Sequence, residues 1–372
     1  MHETSKPPNY QTTKPVIGID CRFASAHAGL GTYTRSIVRS LIARNDPWSY
    51  VLFVRSMKEE WLRDLKSENV TFVESPFPHY SFSEQWRLPE QIRRSRCDLF
   101  YAPHFYVPLR CPVPFVTTVH DLILHRFPGE ASVMKRLAYR LAIASALRRA
   151  KRIITVSRFT ADELEKFYGS SVRDRTEMIY PGVSSEFFVR SQAEQDTVRT
   201  KYNLTKPFLL YVGGCKPHKN VPMLLESFRA AAIEDVDLVL VSGNRFELMQ
   251  QNRVRVLANV SESDLACLYS AALGSVTATL EEGFYLPAIE AMACGCPVLA
   301  TNVGAIAEIS GGYAILAKPN QQSIMAGLRM IVNEETLRQI DQQSARIEYA
   351  RSFSWDRTAE ETSTVFSDIL RS

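Results

Sequence analysis

EEGFYLPAIEAMACGCPV, residues 281–298, follows the apolar run GSVTATL (274–280) and carries the signals of a strand, a turn and a helix in that order. Gly283 lets the backbone turn, and Pro287 suits the first turn of a helix, where its missing N–H is not needed. Gly295 ends that helix at about Cys294, and Pro297 stops any continuation. Free amides at the start of such a helix make an anion site suited to a diphosphate. A carboxylate aimed at the same phosphates is repelled. Glu282 and Glu290, on either side of the turn, are therefore better placed to accept hydrogen bonds from hydroxyls, one holding a sugar ring and the other a ribose diol.

Outward from this stretch, short apolar runs alternate with helical segments, the pattern of α/β layering around parallel sheets. VIGID (16–20), YVLFV (50–54), VTFVE (70–74), DLFYA (98–102), PFVTTVH (114–120) and RIITVS (152–157) read as strands of a first half. FLLYVGG (208–214), DLVLVSG (237–243), VRVLANV (254–260), GSVTATL, PVLAT (297–301) and YAILA (313–317) repeat the rhythm in a second. YPGVSSEFFVRSQAEQD (180–196), a turn followed by polar chain, marks the hinge. The expected organisation is two Rossmann-like domains, 1–185 and 186–355, with 356–372 as a terminal segment. Ligands of open parallel sheets bind at the carboxyl ends of strands, so function is sought in a cleft lined by strand-end loops.

A chain of 372 residues with 45% apolar content exceeds one ordinary core and folds without staples. Its seven cysteines are scattered and mostly inside apolar runs, as buried thiols of a reducing compartment are. The polar, Pro-rich lead-in MHETSKPPNYQTTKP reads as disordered and not as a signal peptide, and no run approaches a membrane span, so the expected location is the cytoplasm. The charge is uneven. Residues 1–190 hold 28 Lys/Arg against 19 Asp/Glu, and the remainder 16 against 21. Much of the excess lies in KRLAYRLAIASALRRAKR (135–152), which reads either as a core-packed helix with a solvated basic face or as a patch for anionic lipid headgroups. No recognition motif accompanies the charge, which argues against nucleic acid.

The opening stretch resembles the Glu-x7-Glu signature of retaining glycosyltransferases of the GT-B fold, glycosyltransferase family 4, whose usual form is E-G-F-G-L-P-x-x-E-A-M-A-x-G-x-P-V. This family includes bacterial mannosyltransferases and sucrose synthases. The resemblance implies that Glu282 contacts the donor sugar and Glu290 the nucleotide ribose, while Gly283, Phe284, Tyr285 and Leu286 offer backbone N–H groups to sugar hydroxyls or phosphate. Tyr285 stands where many members have Gly, which is expected to add bulk beside the donor sugar and either narrow sugar choice or re-aim the loop. The same resemblance makes 352–372 a helix that crosses back onto the first domain.

Other strand ends fit this pattern. His120 and Asp121 follow VTTV, and by resemblance His120 contacts the donor sugar near the reacting centre while Asp121 orients the loop or His120 itself. A histidine satisfied by a backbone carbonyl is the alternative. His104 reads either as a lining of the acceptor pocket or as a packed loop residue. Gly29 and Gly31 open a helix after VIGID but lack the third glycine of a dinucleotide fingerprint, Thr34 standing in its place. In similar enzymes that loop approaches the donor phosphate and the acceptor. Lys219, just before Asn220 as a plausible helix cap, can neutralise a leaving diphosphate, although Gly214 replaces the Arg of many members. NVSESDLACLYSAA resembles the stretch that cradles the nucleobase, through backbone near Val260. Asp235 and Asp237 precede their strand, at the wrong end for a metal-binding DxD, and read as a solvated strand entrance.

These residues are expected to serve a retaining hexosyltransferase that needs no metal or other cofactor. Its donor would be a nucleotide sugar, GDP-mannose ahead of a UDP-sugar, and its acceptor a glycan or lipid-linked hydroxyl in cell-surface polysaccharide synthesis. A GT-B epimerase or phosphorylase and a non-catalytic nucleotide-sugar-binding module are the alternatives. Peripheral membrane contact through the basic first domain is expected as a further partner.

Overall fold

A computed structural model describes residues 14–25, 29–63, 65, 67–242, 252–333 and 342–371. Nearly all of the lead-in lies outside the described residues, as does Gly243 at the end of DLVLVSG. The first half runs β1 (Val16–Asp20), α1 (Gly29–Ala43), β2 (Ser49–Val54), β3 (Val70–Glu74), α2 (Phe82–Arg94), β4 (Leu99–Ala102) and β5 (Phe115–Val119). It continues through α3 (Ile123–Arg126), α4 (Val133–Arg149), β6 (Arg152–Thr155), α5 (Arg158–Tyr168), α6 (Ser170–Arg173) and β7 (Thr176–Met178). The second half runs α7 (Gln192–Lys201), β8 (Phe208–Val212), α8 (Val221–Ala230), β9 (Asp237–Val241), β10 (Val254–Leu257), α9 (Glu262–Ala271) and β11 (Gly274–Val276). After these come α10 (Leu286–Ala293), β12 (Val298–Thr301), α11 (Ile306–Ser310), β13 (Ala314–Ala317), α12 (Gln321–Ile331) and two closing helices, Gln343–Arg351 and Trp355–Arg371.

The strands form two sheets, ordered β3-β2-β1-β4-β5-β6-β7 and β10-β9-β8-β11-β12-β13, with every printed pairing parallel. Every residue of β4, β5 and β9 is buried, because helices cover both faces and leave no side for polar residues. In each sheet the strand order reverses once, between β1 and β4 and between β8 and β11. Those reversals open a crevice outside the strand ends and place residues 21–25, 102–106, 213–219 and 277–285 around it.

Two expectations need correction here. GSVTATL is strand only to Val276; Thr277 still bonds Leu299 O (2.9 Å), after which the chain leaves the sheet and carries Glu281 and Glu282 as loop. The entrance to β9 is half solvated only: Asp235 is exposed and 3.4 Å from Lys206, whereas Asp237 is buried, 3.8 Å from Arg255.

The two connections between the halves lie side by side. Val183 N–H donates to Phe353 O (2.9 Å), and a Cβ on Gly182 would stand 2.1 Å from the Trp355 nitrogen. Beyond this crossing the helix Trp355–Arg371 packs on the first domain, with Trp355 edge-on to Tyr33, Phe366 5.3 Å from Tyr101, and Ser363 donating to Asp46 (2.8 Å). All seven cysteines are unpaired, five of them buried. Among the described residues no helix is long and apolar enough to cross a membrane.

Candidate active site

The reversal between β8 and β11 brings together two residues singled out in the sequence. Lys219 Nζ lies 2.6 and 2.8 Å from the two carboxylate oxygens of Glu282, whose side chain is 8% exposed. The pair sits one turn before α10, whose first amides lack intrahelical partners. Asn220 occupies the start of α8 in a left-handed conformation, but its side chain does not cap the helix. It donates to Ala278 O (3.2 Å) instead, tying the lysine loop to the glutamate loop.

Tyr285 precedes α10 with φ 79°, the conformation for which the usual glycine is suited. Its ring is buried in the core of the second domain, so the bulk expected beside the donor sugar points inward, with Lys219 Nζ 5.8 Å from the ring centre. The hydroxyl is buried without a hydrogen-bond partner within normal geometry. Phe284 is buried too, and Leu286 half-buried. Glu290, on the half-buried face of α10, accepts a bond from Tyr269 Oη (3.3 Å). Burial pushes its carboxyl up to about 7 against the pull of that bond, and Glu262 adds to the rise.

The facing domain contributes His120. Its Nε2 donates to Pro103 O (2.8 Å), which sets the tautomer and leaves Nδ1 as an acceptor without a bond among the described residues. Burial holds the imidazole below its ordinary value, so the ring is neutral at pH 7. Both sequence readings of this residue thus have a place: one nitrogen is satisfied by a carbonyl and the other is free for a hydroxyl. Asp121 accepts from Ile123 N–H (3.1 Å), orienting the loop and not the imidazole.

The domains touch at Gly283. A Cβ there would stand 1.8 Å from His120 O, and Gly283 O accepts from Ser157 Oγ (2.6 Å) at the start of α5. Three acids that the sequence reading missed complete this contact. Glu308 of α11 accepts from Arg158 N–H (2.7 Å) and Phe159 N–H (3.0 Å), capping α5 across the cleft. Glu130 accepts from His218 N–H (2.7 Å) and contacts its ring at 2.8 Å. Glu281 lies 3.2 Å from Arg126, which also binds Glu163 (2.6 Å). Burial, opposed by Arg126, lifts Glu281 to about 7. These partners lie 37 to 155 residues apart in sequence, and no local signal announces them.

Gly29 and Gly31 lie in the first turn of α1, with residues 26–28 of that loop outside the described residues. Gly29 has room for a Cβ, so contacts within the chain do not require a glycine there. The helix is anchored to the site through Tyr33, 4.6 Å and edge-on to His120. Val260 is half-buried between β10 and α9, beside Glu262, whose charge reaches both Arg35 of α1 and Glu290. His104 is a packed loop residue: its Nδ1 accepts from Tyr106 N–H (3.3 Å), and burial, with His120 and His79 nearby, depresses it to about 3. Among the described residues no three His, Cys, Asp or Glu side chains converge as metal ligands.

Two parallel-sheet domains that meet at their strand-order reversals define a GT-B architecture. The described structure superposes on sucrose-phosphate synthase from Thermosynechococcus elongatus with a TM-score of 0.77, covering 96% of this chain and 100% of that one at 19% identity. Anabaena Alr3699/HepE in complex with UDP and glucose gives 0.75, covering 95% and 99% at 19% identity. Residues 27–187 match the family model Glycosyltransferase Family 4, and residues 206–334 match Glycosyl transferases group 1. The O-antigen chain mannosyltransferase B of Escherichia coli is 32% identical over 289 residues, covering 73% of this chain and 74% of that one. The O-antigen chain mannosyltransferase RfbU of Salmonella typhimurium is 24% identical over 257 residues, covering 66% and 68%. The chain belongs to glycosyltransferase family 4.

Proposed function

We propose that the protein transfers a hexose, mannose before others, from a nucleotide sugar to a hydroxyl of a glycan or lipid-linked acceptor in cell-surface polysaccharide synthesis, with retention of configuration and without a metal ion. The observation that carries this reading is the Lys219–Glu282 pair at the head of α10, opposite the free Nδ1 of His120. Two relatives are O-antigen chain mannosyltransferases, which supports mannose and a surface glycan.

In this reading the donor diphosphate takes over Lys219 and the α10 amides, and Glu282, released from the lysine, accepts from hydroxyls of the sugar. Glu290 accepts from the ribose. His120 holds a further sugar hydroxyl through Nδ1. The acceptor oxygen bonds to the anomeric carbon on the face the leaving phosphate vacates. As that bond forms, the carbon–phosphate oxygen bond breaks, and the acceptor proton passes to the departing phosphate. Positive charge on Lys219 stabilises the nucleoside diphosphate product.

The protein is also proposed to work in the cytoplasm, with peripheral contact at the inner face of the membrane. On α4, Met134, Leu137 and Leu141 are 82%, 59% and 63% exposed beside Lys135 and Arg140, an apolar stripe with basic flanks. Sedimentation with phosphatidylglycerol vesicles, and not with phosphatidylcholine, tests it.

Thermal unfolding with GDP, UDP and ADP tests the donor. The cognate nucleotide at 100-fold over its Kd stabilises by about 2.7 kcal/mol. Turnover of the sugar nucleotide without an acceptor would instead indicate an epimerase, and binding without turnover in acceptor-rich extracts a binding module. A strict requirement for Mg²⁺ or Mn²⁺ would overturn the metal-free mechanism, and an anomer-inverted product the retaining one.

A further inference from the structure

A row of rings runs along the carboxyl ends of the N-terminal strands, beyond the residues given to the donor. It starts at His104 after β4, whose ring centre lies 4.8 Å from that of Phe23 after β1. Phe23 stacks on His79 at 3.7 Å with planes 10° apart. The next residue, Tyr80, stands edge-on to Tyr106 at 4.4 Å.

Tyr80 combines two features that a plain turn does not need. Its side chain is 56% exposed, and its backbone has φ 60°, a conformation uncommon for a bulky residue and normally given to Gly or Asn. A buried chain of charges imposes that conformation. Tyr80 N–H donates to Glu84 Oε2 (2.7 Å), Glu84 Oε1 accepts from Arg22 Nη2 (2.5 Å), and Arg22 Nε donates to Asp20 (2.8 Å). Arg22, Asp20 and Glu84 are all buried. Such a mount fixes the backbone that carries the ring, which the edge-on contact with Tyr106 braces on one side and which is otherwise largely exposed.

The chemistry of the row selects its ligand. The Arg22 guanidinium is shielded from solvent and paired with Asp20 and Glu84, and His104 is neutral, so the rings themselves offer aromatic faces and no charge, with Arg55 the further cation whose charge reaches His79. Flat aromatic faces do match the C–H face of a pyranose, whose hydroxyls project outward to polar rims such as Tyr106 Oη, already bonded to Gln85 (2.9 Å).

We propose that Phe23, His79, Tyr80 and Tyr106 form an acceptor subsite for a neutral pyranose, stacked on Tyr80, so that the acceptor presents a saccharide residue to the donor. The subsite rests on the glycosyltransferase reading and narrows its acceptor to a molecule bearing a sugar beside the reacting hydroxyl.

The test is calorimetric titration of the full chain, saturated with the nucleoside diphosphate that stabilises it. The probes are mannose, glucose and galactose trisaccharides, inorganic phosphate and phosphatidylglycerol vesicles. At least one trisaccharide should bind; Tyr80→Phe should keep its affinity within about threefold, and Tyr80→Ala and Tyr80→Gly should weaken it at least tenfold. Tyr80→Gly also relaxes the backbone, so its melting temperature should not fall, which separates loss of the ring from loss of the fold. A glycine variant that binds like wild type, no binding by any trisaccharide, or Tyr80-dependent binding of phosphate or vesicles in place of sugar overturns the subsite. The nucleotide-induced thermal shift should persist in every variant. Its absence in the wild type would count against the donor reading instead.

Discussion

Lys219 and Glu282 satisfy each other in the ligand-free site, the ammonium meeting both carboxylate oxygens at 2.6 and 2.8 Å. Donor binding must exchange this pair for two new ones. Removing one partner leaves the other half of a largely buried pair uncompensated, which costs up to about 3–5 kcal/mol for full burial and less for Lys219, whose side chain is 21% exposed. Lys219→Ala should destabilise by about 2 kcal/mol in denaturant unfolding, and adding Glu282→Gln should recover part of that loss. Each single variant should also weaken nucleotide-sugar binding at least tenfold. Strict additivity in the stability cycle would show that the pair is not coupled.

Glu290 gives donor binding a pH dependence. Its carboxyl, raised to about 7, is half neutral at that pH, while ribose hydroxyls favour the ionised acceptor. Affinity for the cognate nucleoside diphosphate should fall as pH drops below 7 and level off above 8, with a proton released on binding. The stability of the ligand-free protein runs the other way. A carboxyl whose folded value lies above its unfolded one favours folding at low pH, and stability declines as pH rises from about 4.5 through 7. Glu290→Gln should remove this residue's share of both slopes and lower affinity. Titrations at several pH values compared between the two proteins check this.

Tyr285 carries a left-handed backbone and a buried hydroxyl that meets the Thr277 side chain without a hydrogen bond of normal geometry. Tyr285→Phe removes the hydroxyl and keeps the ring, so stability should change by less than about 1 kcal/mol. Tyr285→Gly relieves about 1–3 kcal/mol of backbone strain but empties a core position that costs about 3–5 kcal/mol. The glycine variant should therefore be less stable by about 2 kcal/mol, even though glycine is the commoner residue there. Equilibrium unfolding in urea reads both.

Gly283 cannot accept a side chain while the domains meet as they do, because the added carbon would overlap His120 O. Gly283→Ala should cut transfer at least a hundredfold, with the nucleotide-induced thermal shift retained. Transfer within threefold of wild type would show that the His120–Gly283 contact is not required for turnover.

Much of the scaffold was legible because buried parallel strands have few alternatives in composition: VIGID, YVLFV and DLVLV stand out as apolar runs between polar helices. β7 was missed for the opposite reason, since Thr176-Glu177-Met178 is three residues long and its middle side chain is exposed. At the site, the Glu-x7-Glu stretch pointed to Glu282, but its pairing with Lys219 arises only when β8 and β11 become neighbours. Tyr285 was noticed as an exception, but the burial of its ring was not legible, because sequence gives the side chain's size and not the sign of φ at its backbone. Glu308 was not noticed at all. Its partners on α5 precede it by about 150 residues, and an isolated glutamate on a five-residue helix has no pattern of its own.

The paired connections at Gly182 and Trp355 bear on how the chain is made. Tyr101 and Tyr33 of the first domain receive ring partners from the helix Trp355–Arg371, which follows the whole second domain in sequence. A nascent chain leaving the ribosome can complete the second domain's sheet before the first domain is sealed. Until that helix is made and docks, the first domain presents an apolar groove the length of 17 helical residues. Docking of this helix, and not the appearance of the last strand, is the event that closes the amino-terminal half.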